Sequence, residues 1–380
     1  MKVKRCLNLV KLLKKKSIFL FGPRQTGKTT LIKDSLLNYC TYIDLLKSKY
    51  FLPLSNHPAK LESFIDFKKP FAVIDEIQKL PILLDEVHHL IEEKKIRFLL
   101  TGSSARKLKR GKANLLAGRA WPQYFHPLTY WELKEISLDK YLLYGGMPAV
   151  YLSREPDEEL DAYVQVYLKE EIKEEGFVRN LQSFTRFLEV AALCNTELVN
   201  YSQIASDAEV PMNTVRDFFQ ILDDTLIGFF LHPYRKTKKR KAIATPKFYF
   251  FDLGVTHYLA GIKSLDPKGN LFGRAFEHFI VSQVKAYIDY QRIKKGLSFW
   301  RSRQKDEVDL IVGDDIAIEI KSTNKISEKH LKGLRRIQAE GIFKHYIVVS
   351  MDDSFKNSGK IKNYHWRQFL DELWAGNFIK

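Results

Sequence analysis

The sequence predicts an α/β chain in three parts, and three stretches carry that prediction. Near the N-terminus, "SIFLFGPRQTGKTTLIKDSLL" runs from a short apolar strand through a glycine-flanked loop into a helix. In the middle, "YSQIASDAEVPMNTVRDFFQILDDTLIGFFL" has the apolar spacing of two short helices around a turn. Toward the C-terminus, "EVDLIVGDDIAIEIKST" alternates like paired strands, yet it carries Asp309, Glu319 and Lys321 where apolar side chains are expected. At 380 residues the chain is long for one core, and 45% hydrophobic with 13% aromatic residues is enough to fill several. Glycine and proline punctuation gives expected domains of 1–145, 146–255 and 256–380, with Gly145, Gly146 and Pro148 at the first boundary.

The first stretch fits GxxxxGK[ST]: Gly22, Gly27, Lys28 and Thr29 hold the fixed positions, and Pro23, Arg24, Gln25, Thr26 and Thr30 complete the loop and first helical turn. The glycines let the backbone curl until its N–H groups surround phosphate oxygens. Lys28 is then expected at the β- and γ-phosphates and Thr29 on Mg²⁺. A second apolar run, "KPFAVIDEIQKL", ends in Asp75 and Glu76. Asp75 is expected to hold Mg²⁺ through water, and Glu76 to activate the water that attacks the γ-phosphate. ATP and Mg²⁺ are therefore the expected cofactors and hydrolysis the expected reaction. A third buried strand, "IRFLLTGSSARKL", ends in the polar residues Thr101 to Ser104.

The stretches "GPRQTGKTTL", "VIDEIQKLP", "LLTGSSARKL" and "LAGRA", with "YLLYGGMPAVYL", "TPKFYFFDLGVTHYLAG" and "GRAFEHFIVSQV" further along, resemble a prokaryotic AAA+ ATPase family of the AAA_14/DUF4143 type. The resemblance covers nearly the whole chain. It implies an N-terminal AAA+ P-loop ATPase domain with a sensor residue after the third strand, at Ser103 or else Thr101. It also implies an arginine finger at Arg119 that reaches a neighbouring subunit's nucleotide. An active homo-oligomer follows from that role, with a hexamer as one option.

In the middle region, the charged stretch "DEELDAYVQVYLKEEIKEEGF" reads as a connector helix. The pattern after it is that of a helix-turn-helix, with Asn213, Thr214 and Arg216 opening the second helix. The cluster Arg235, Lys236, Lys238, Lys239, Arg240 and Lys241 then falls where a winged helix has its hairpin tip. Six cations there would neutralise phosphates without reading bases. A solvated basic loop, or a winged helix used for subunit contacts, is the alternative.

The C-terminal region reads as helix, strand, strand, strand, helix, strand, which is the core order of PD-(D/E)xK nucleases. Glu319 and Lys321 share a strand face, Asp309 sits on the adjacent strand and Glu277 approaches from the helix "GRAFEHF". Glu277, Asp309 and Glu319 are the expected metal ligands, and Lys321 the stabiliser of the pentavalent phosphate. Val308 replaces the proline of the motif's name. A cross-strand salt bridge in a retained fold is the alternative.

Lys and Arg outnumber Asp and Glu by 62 to 45, for a formal charge of +17, which points to an anionic partner, with DNA the leading candidate. Cys6, Cys40 and Cys194 lack CxxC spacing and fit a reducing compartment without structural zinc. Lysines interrupt the N-terminal apolar run and no stretch reaches membrane-spanning length, so a cytoplasmic location is expected. The combined expectation is an ATPase that binds DNA and remodels, translocates or processes it, with metal-dependent nuclease activity at the C-terminus. A nuclease-inactive DNA motor, or an ATP-dependent assembly switch whose winged helix binds protein, stands as the alternative.

Overall fold

The structure is a computed structural model that describes residues 3–102, 115–168, 180–237, 242–354 and 357–379. It divides into two compact units, Met1–Leu128 with Ile221–Ile227, and Thr129–Gln220 with Gly228–Lys380. The expected boundaries after residues 145 and 255 both fall inside the second unit.

The first unit contains α1 (Leu9–Leu13), β1 (Ser17–Phe21), α2 (Lys28–Leu36), β2 (Cys40–Asp44), α3 (Ser48–Asn56), β3 (Phe71–Asp75), α4 (Leu83–Glu93), β4 (Arg97–Gly102) and β5 (Ala120–Tyr124). The strands form one parallel sheet in the order β2-β3-β4-β1-β5. Every residue of β1 and β3 is buried, as expected of parallel strands covered on both faces. On one face, Phe19, Phe21, Ile43, Ile74, Phe98 and Leu100 pack with Leu83, Leu84, Val87, Leu90 and Ile91, the apolar stripe of α4. Register aligns Phe21 with Gly102 and Ile74 with Leu100, so the loops after β1, β3 and β4 leave from one edge of the sheet. Ligands of open α/β sheets bind at that carboxyl edge.

The second unit begins with α5 (Leu138–Tyr144), α6 (Pro148–Leu152), α7 (Pro156–Ala162) and a wide turn at Tyr163–Leu168. The remainder of the expected connector helix lies outside the described residues. Next come α8 (Leu181–Leu193), α9 (Tyr201–Asp207) and α10 (Met212–Asp224), then β6 (Gly228–Pro233), β7 (Lys247–Phe250) and α11 (Leu253–Leu259). A cluster of rings, Phe184, Phe187, Phe218, Phe219, Phe230 and Phe248, joins α8 and α10 to the β6–β7 hairpin. The chain closes with α12 (Asn270–Gln291), β8 (Leu297–Arg301), β9 (Glu307–Val312), β10 (Ile316–Lys321), α13 (Lys332–Gln338), β11 (His345–Ser350), β12 (Ile361–His365) and α14 (Trp366–Trp374).

A seven-stranded mixed sheet in the order β12-β11-β10-β9-β8-β6-β7 runs through this unit. β8, β9 and β10 are antiparallel neighbours, and β10 pairs with β11 in parallel. The helix–strand–strand–strand–helix–strand order expected of the C-terminal region is thus present from α12 to β11. The hairpin β6–β7 also joins this sheet, through parallel pairing of His232 with Ser298.

Gly145 and Gly146, read from sequence as a boundary, lie in a tight knot with the "FDLG" turn. A Cβ on Gly145 would stand 2.1 Å from Asp252 Oδ1, and one on Gly254 would stand 2.1 Å from the Tyr144 carbonyl oxygen. Asp252 is buried and accepts hydrogen bonds from the backbone N–H groups of Gly146 (2.7 Å) and Val255 (3.2 Å). Burial pushes its carboxyl up to about 6, against the pull of those N–H groups.

Candidate nucleotide site and a lysine-bridged carboxylate cluster

The loop Gly22 to Gly27 leaves β1 and ends as the N-cap of α2, so the orphan N–H groups of the helix open onto it. Gly27 has φ 94°, a left-handed conformation that a side chain would strain. Gly22 is required for another reason: a Cβ there would stand 2.5 Å from the Phe125 carbonyl oxygen. Gln25 also has positive φ, at 60°. Lys28 is buried, and its Nζ donates to the carbonyls of Gly22 (2.6 Å) and Pro23 (2.8 Å), while Thr26 Oγ1 donates to Pro23 (2.9 Å). The loop therefore curls around its own lysine. Such a cradle fits a polyphosphate.

Asp75, buried at the end of β3, receives three hydroxyls. Thr29 Oγ1 donates to Oδ2 at 3.1 Å, Tyr42 from β2 donates to the same oxygen, and Thr101 from β4 donates to Oδ1. Burial and the Asp75 hydrogen bond push the Tyr42 hydroxyl far above its ordinary pKa, so it remains a donor. Thr101 Oγ1 also accepts from the Glu76 N–H at 3.1 Å. Glu76 sits in left-handed backbone at φ 63°, and its carboxylate is held by the Gln78 side-chain amide. A hydroxyl and a carboxylate brought together beside a phosphate cradle are a donor set suited to Mg²⁺, which would supply charge neutralisation of the phosphates.

Of the two sensor candidates, Thr101 lies in this cluster and Ser103 lies outside the described residues. Arg119 directly precedes β5, whose register pairs Ala120 with Ser17 and Tyr124 with Phe21. Arg119 therefore stands at the opposite end of the sheet from the loop, about 16 Å away by strand rise. Its guanidinium is paired with Glu92 of α4.

In the second unit, Lys321 Nζ lies 2.7 Å from Glu319 and 3.2 Å from Asp309. The Ile320 N–H also donates to Asp309 Oδ2 at 2.7 Å. Glu277 of α12 is held by Lys247 of β7 (2.9 Å) and by the Tyr249 hydroxyl (2.6 Å). Lys247 also reaches Glu307 at 2.7 Å, and Arg301 closes on the other Glu307 oxygen at 3.2 Å. Burial would raise Asp309, but the Lys321 and Lys247 amines and the Ile320 N–H hold it below its ordinary value. Burial, reinforced by the Asp309 charge, pushes Glu319 well up. Glu277 is also raised by burial, partly offset by Lys247. Glu319 Oε2 is buried without a hydrogen-bond partner.

Glu277, Asp309 and Glu319 do not converge on a cation position, and among the described residues no group of three His, Cys, Asp or Glu does. Two lysines lie among these carboxylates, one between Asp309 and Glu319 and one between Glu277 and Glu307. Lys247, Tyr249 and Glu307 were missed in the sequence. The available signal was a lysine inside the apolar run "KFYFF", since a charge in a buried strand needs partners. Tyr42 and Gln78 gave no such signal.

At the N-terminus of α10, Asn213 and Arg216 are exposed and Thr214 is half-buried, with the Arg216 guanidinium 5.4 Å from the centre of the Tyr201 ring. Arg235 is exposed, and Lys236 is paired with Asp314 at 2.6 Å. Lys238, Lys239, Arg240 and Lys241 lie outside the described residues. No described helix is long and apolar enough to cross a membrane.

Two uncharacterized mycobacterial proteins, Mb2031c of Mycobacterium bovis and Rv2008c of Mycobacterium tuberculosis, are each 27% identical over 320 residues, covering 81% of this chain and 70% of theirs. The chain is also similar to the Aeropyrum pernix ORC1 protein solved in complex with DNA (14% identity, 65% of this chain and 86% of that one, TM-score 0.25). A second solved structure it matches is Can2 from Sulfobacillus thermosulfidooxidans in complex with cyclic tetra-adenylate (11% identity, 90% of this chain and 99% of that one, TM-score 0.23). At such TM-scores neither superposition bears on function. Three family models match in succession: an AAA domain (AAA_14) over residues 14–134, a domain of unknown function (DUF8612) over 135–266, and another (DUF4143) over 272–369. The AAA and DUF4143 matches, on a chain whose N-terminal strands form a parallel α/β sheet, support an AAA-type ATPase family.

Proposed function

We propose that this protein hydrolyses ATP at the loop after β1 and uses the cycle to remodel or move along DNA. The observation that carries the reading is the convergence of Lys28, Thr29, Asp75 and Thr101 at the carboxyl edge of the parallel sheet. Bound Mg²⁺ would neutralise phosphate charge; Thr29 and Asp75 would hold it, Lys28 would turn from its loop carbonyls to the phosphates, and Glu76 would orient water. The helices α8, α9 and α10 followed by the β6–β7 hairpin, with Leu198 bridging Lys247, have the element order of a winged helix. That order, the exposed Asn213 and Arg216, and the basic 235–241 segment support a DNA-binding role dominated by phosphate contacts.

The C-terminal fold is proposed as a nuclease-like scaffold that does not cut, because its carboxylates are committed to lysines. The test compares wild type, Lys28→Ala and Asp309→Ala on labelled single-stranded, duplex and four-way DNA with ATP and Mg²⁺. The expected result is DNA-stimulated ATP turnover that is lost in Lys28→Ala and retained in Asp309→Ala, with no DNA cleaved. Cleavage by wild type that Asp309→Ala abolishes would replace this reading with an ATP-gated nuclease. Turnover that DNA does not stimulate, with no salt-dependent binding, would favour the assembly switch.

A further inference from the structure

We propose that Arg5 is a positioning residue for the nucleotide loop, fixing the orientation of the Thr26–Gly27 peptide so that the Gly27 N–H faces the phosphate cradle. The inference rests on the ATP reading above and adds a residue outside every motif that suggested it.

One guanidinium makes all the contacts. Arg5 Nη1 donates to the Thr26 carbonyl at 2.7 Å, while Nη2 donates to the carbonyls of His126 (2.6 Å) and Pro127 (3.3 Å). Its Cζ lies 4.0 Å from the centre of the Phe125 ring. Phe125 is itself tied to β1, its N–H donating to the Phe21 carbonyl at 2.7 Å, and its own carbonyl is the group that excludes a side chain at Gly22. The residues just after β5 therefore fix both ends of the loop, by backbone contact at Gly22 and through Arg5 at Thr26.

The consequence follows from peptide geometry. In a planar trans peptide the C=O and the following N–H point in opposite directions. Holding the Thr26 carbonyl on Arg5 therefore turns the Gly27 N–H away from Arg5. Without that anchor the peptide is free to flip, because Gly27 tolerates backbone conformations that other residues do not. A flip would put a carbonyl where a donor is needed and repel phosphate. Lys28 already uses the carbonyls of Gly22 and Pro23 to shape the other side of the loop, so Arg5 supplies the constraint those bonds leave out. A planar fork that stacks on Phe125 presents its donors to the two segments at fixed angles, which the single rotating ammonium of a lysine does not reproduce.

The test is a titration of wild type, Arg5→Ala, Arg5→Lys and Lys28→Ala with fluorescent ATP and ADP analogues, with adenosine as a competitor and with turnover measured in parallel. Arg5→Ala is expected to weaken ATP and ADP binding about tenfold while adenosine competition is unchanged, since only phosphate contacts depend on the peptide. KM for ATP should rise with kcat at saturation nearly preserved. Arg5→Lys should resemble Arg5→Ala, and added methylguanidinium should recover affinity in Arg5→Ala and not in Lys28→Ala. Wild-type affinity for ATP in Arg5→Ala overturns the inference, as does an equal loss for adenosine, which would mean general loosening. Failure of wild type itself to bind either nucleotide overturns the ATP reading, an outcome distinct from the other two.

Discussion

At Asp75 one carboxylate accepts from Thr29, Tyr42 and Thr101, and only the first of these belongs to a motif that names itself in the sequence. Thr101 has a second task, accepting the Glu76 N–H and so supporting a residue in left-handed backbone. A non-glycine residue there costs about 1–2 kcal/mol, and such strain concentrates at functional sites. Tyr42 is the testable member of the set. Tyr42→Phe removes one hydrogen bond worth about 1 kcal/mol, so the Mg²⁺ concentration for half-maximal turnover should rise roughly fivefold, with metal-free nucleotide affinity unchanged. A Mg²⁺ titration of turnover measures this, and an unchanged midpoint would show that Tyr42 only packs.

The elements of the second unit bury charge in two different ways. In the sheet, Lys247 and Lys321 each sit between carboxylates, so that positive charge from β7 and β10 partly offsets negative charge from α12, β9 and β10. Burial opposes the charge on Lys247, but Glu277, Glu307 and Asp309 outweigh it and hold the amine protonated. At the N-cap of α11, Asp252 is held by backbone N–H groups, those of Gly146 and Val255 among them, and burial pushes its carboxyl up to about 6 from the usual 3.8. A raised carboxyl pKa means that the folded state binds this proton more tightly than the unfolded chain. The stability it contributes is full below about pH 4 and is lost as pH rises through about 6, amounting to about 3 kcal/mol. Asp252→Asn should remove that fall from the difference between the two unfolding curves measured from pH 4 to 7. A wild-type and variant difference that stays flat across this range would contradict it.

For the whole molecule, Arg119 stands at the far end of the first unit's sheet from the nucleotide loop of its own chain. If Arg119 acts as an arginine finger, it acts on the nucleotide of a second copy, because its own loop lies at the other end of the sheet. Lys28→Ala should fail to use its own nucleotide, and Arg119→Ala should fail to complete its neighbour's site. Mixing the two inactive variants should then restore turnover to a fraction of wild type, because some interfaces combine an intact loop with an intact arginine. No recovery, with Arg119→Ala alone as active as wild type, would leave Arg119 as the partner of Glu92, whose carboxyl it holds below the ordinary value.

Local chemistry made much of this protein readable without a structure. The glycines of the nucleotide loop, the apolar strands before Asp75 and Thr101, and the period-two pairing of Glu319 with Lys321 all depend on spacings of a few residues. The tertiary fold alone decided the rest, because the partners are distant in sequence. Arg5 meets Thr26 and His126, Tyr42 meets Asp75, and Asp252 meets Gly146 only after strands and helices pack. The surroundings of the expected metal ligands were decided in the same way. The sequence correctly put Glu277, Asp309 and Glu319 on neighbouring elements, but a lysine on the edge strand β7, thirty residues before Glu277, claimed that carboxylate first. Spacing along a chain determines which groups one element can present, and packing between elements determines which charges they meet.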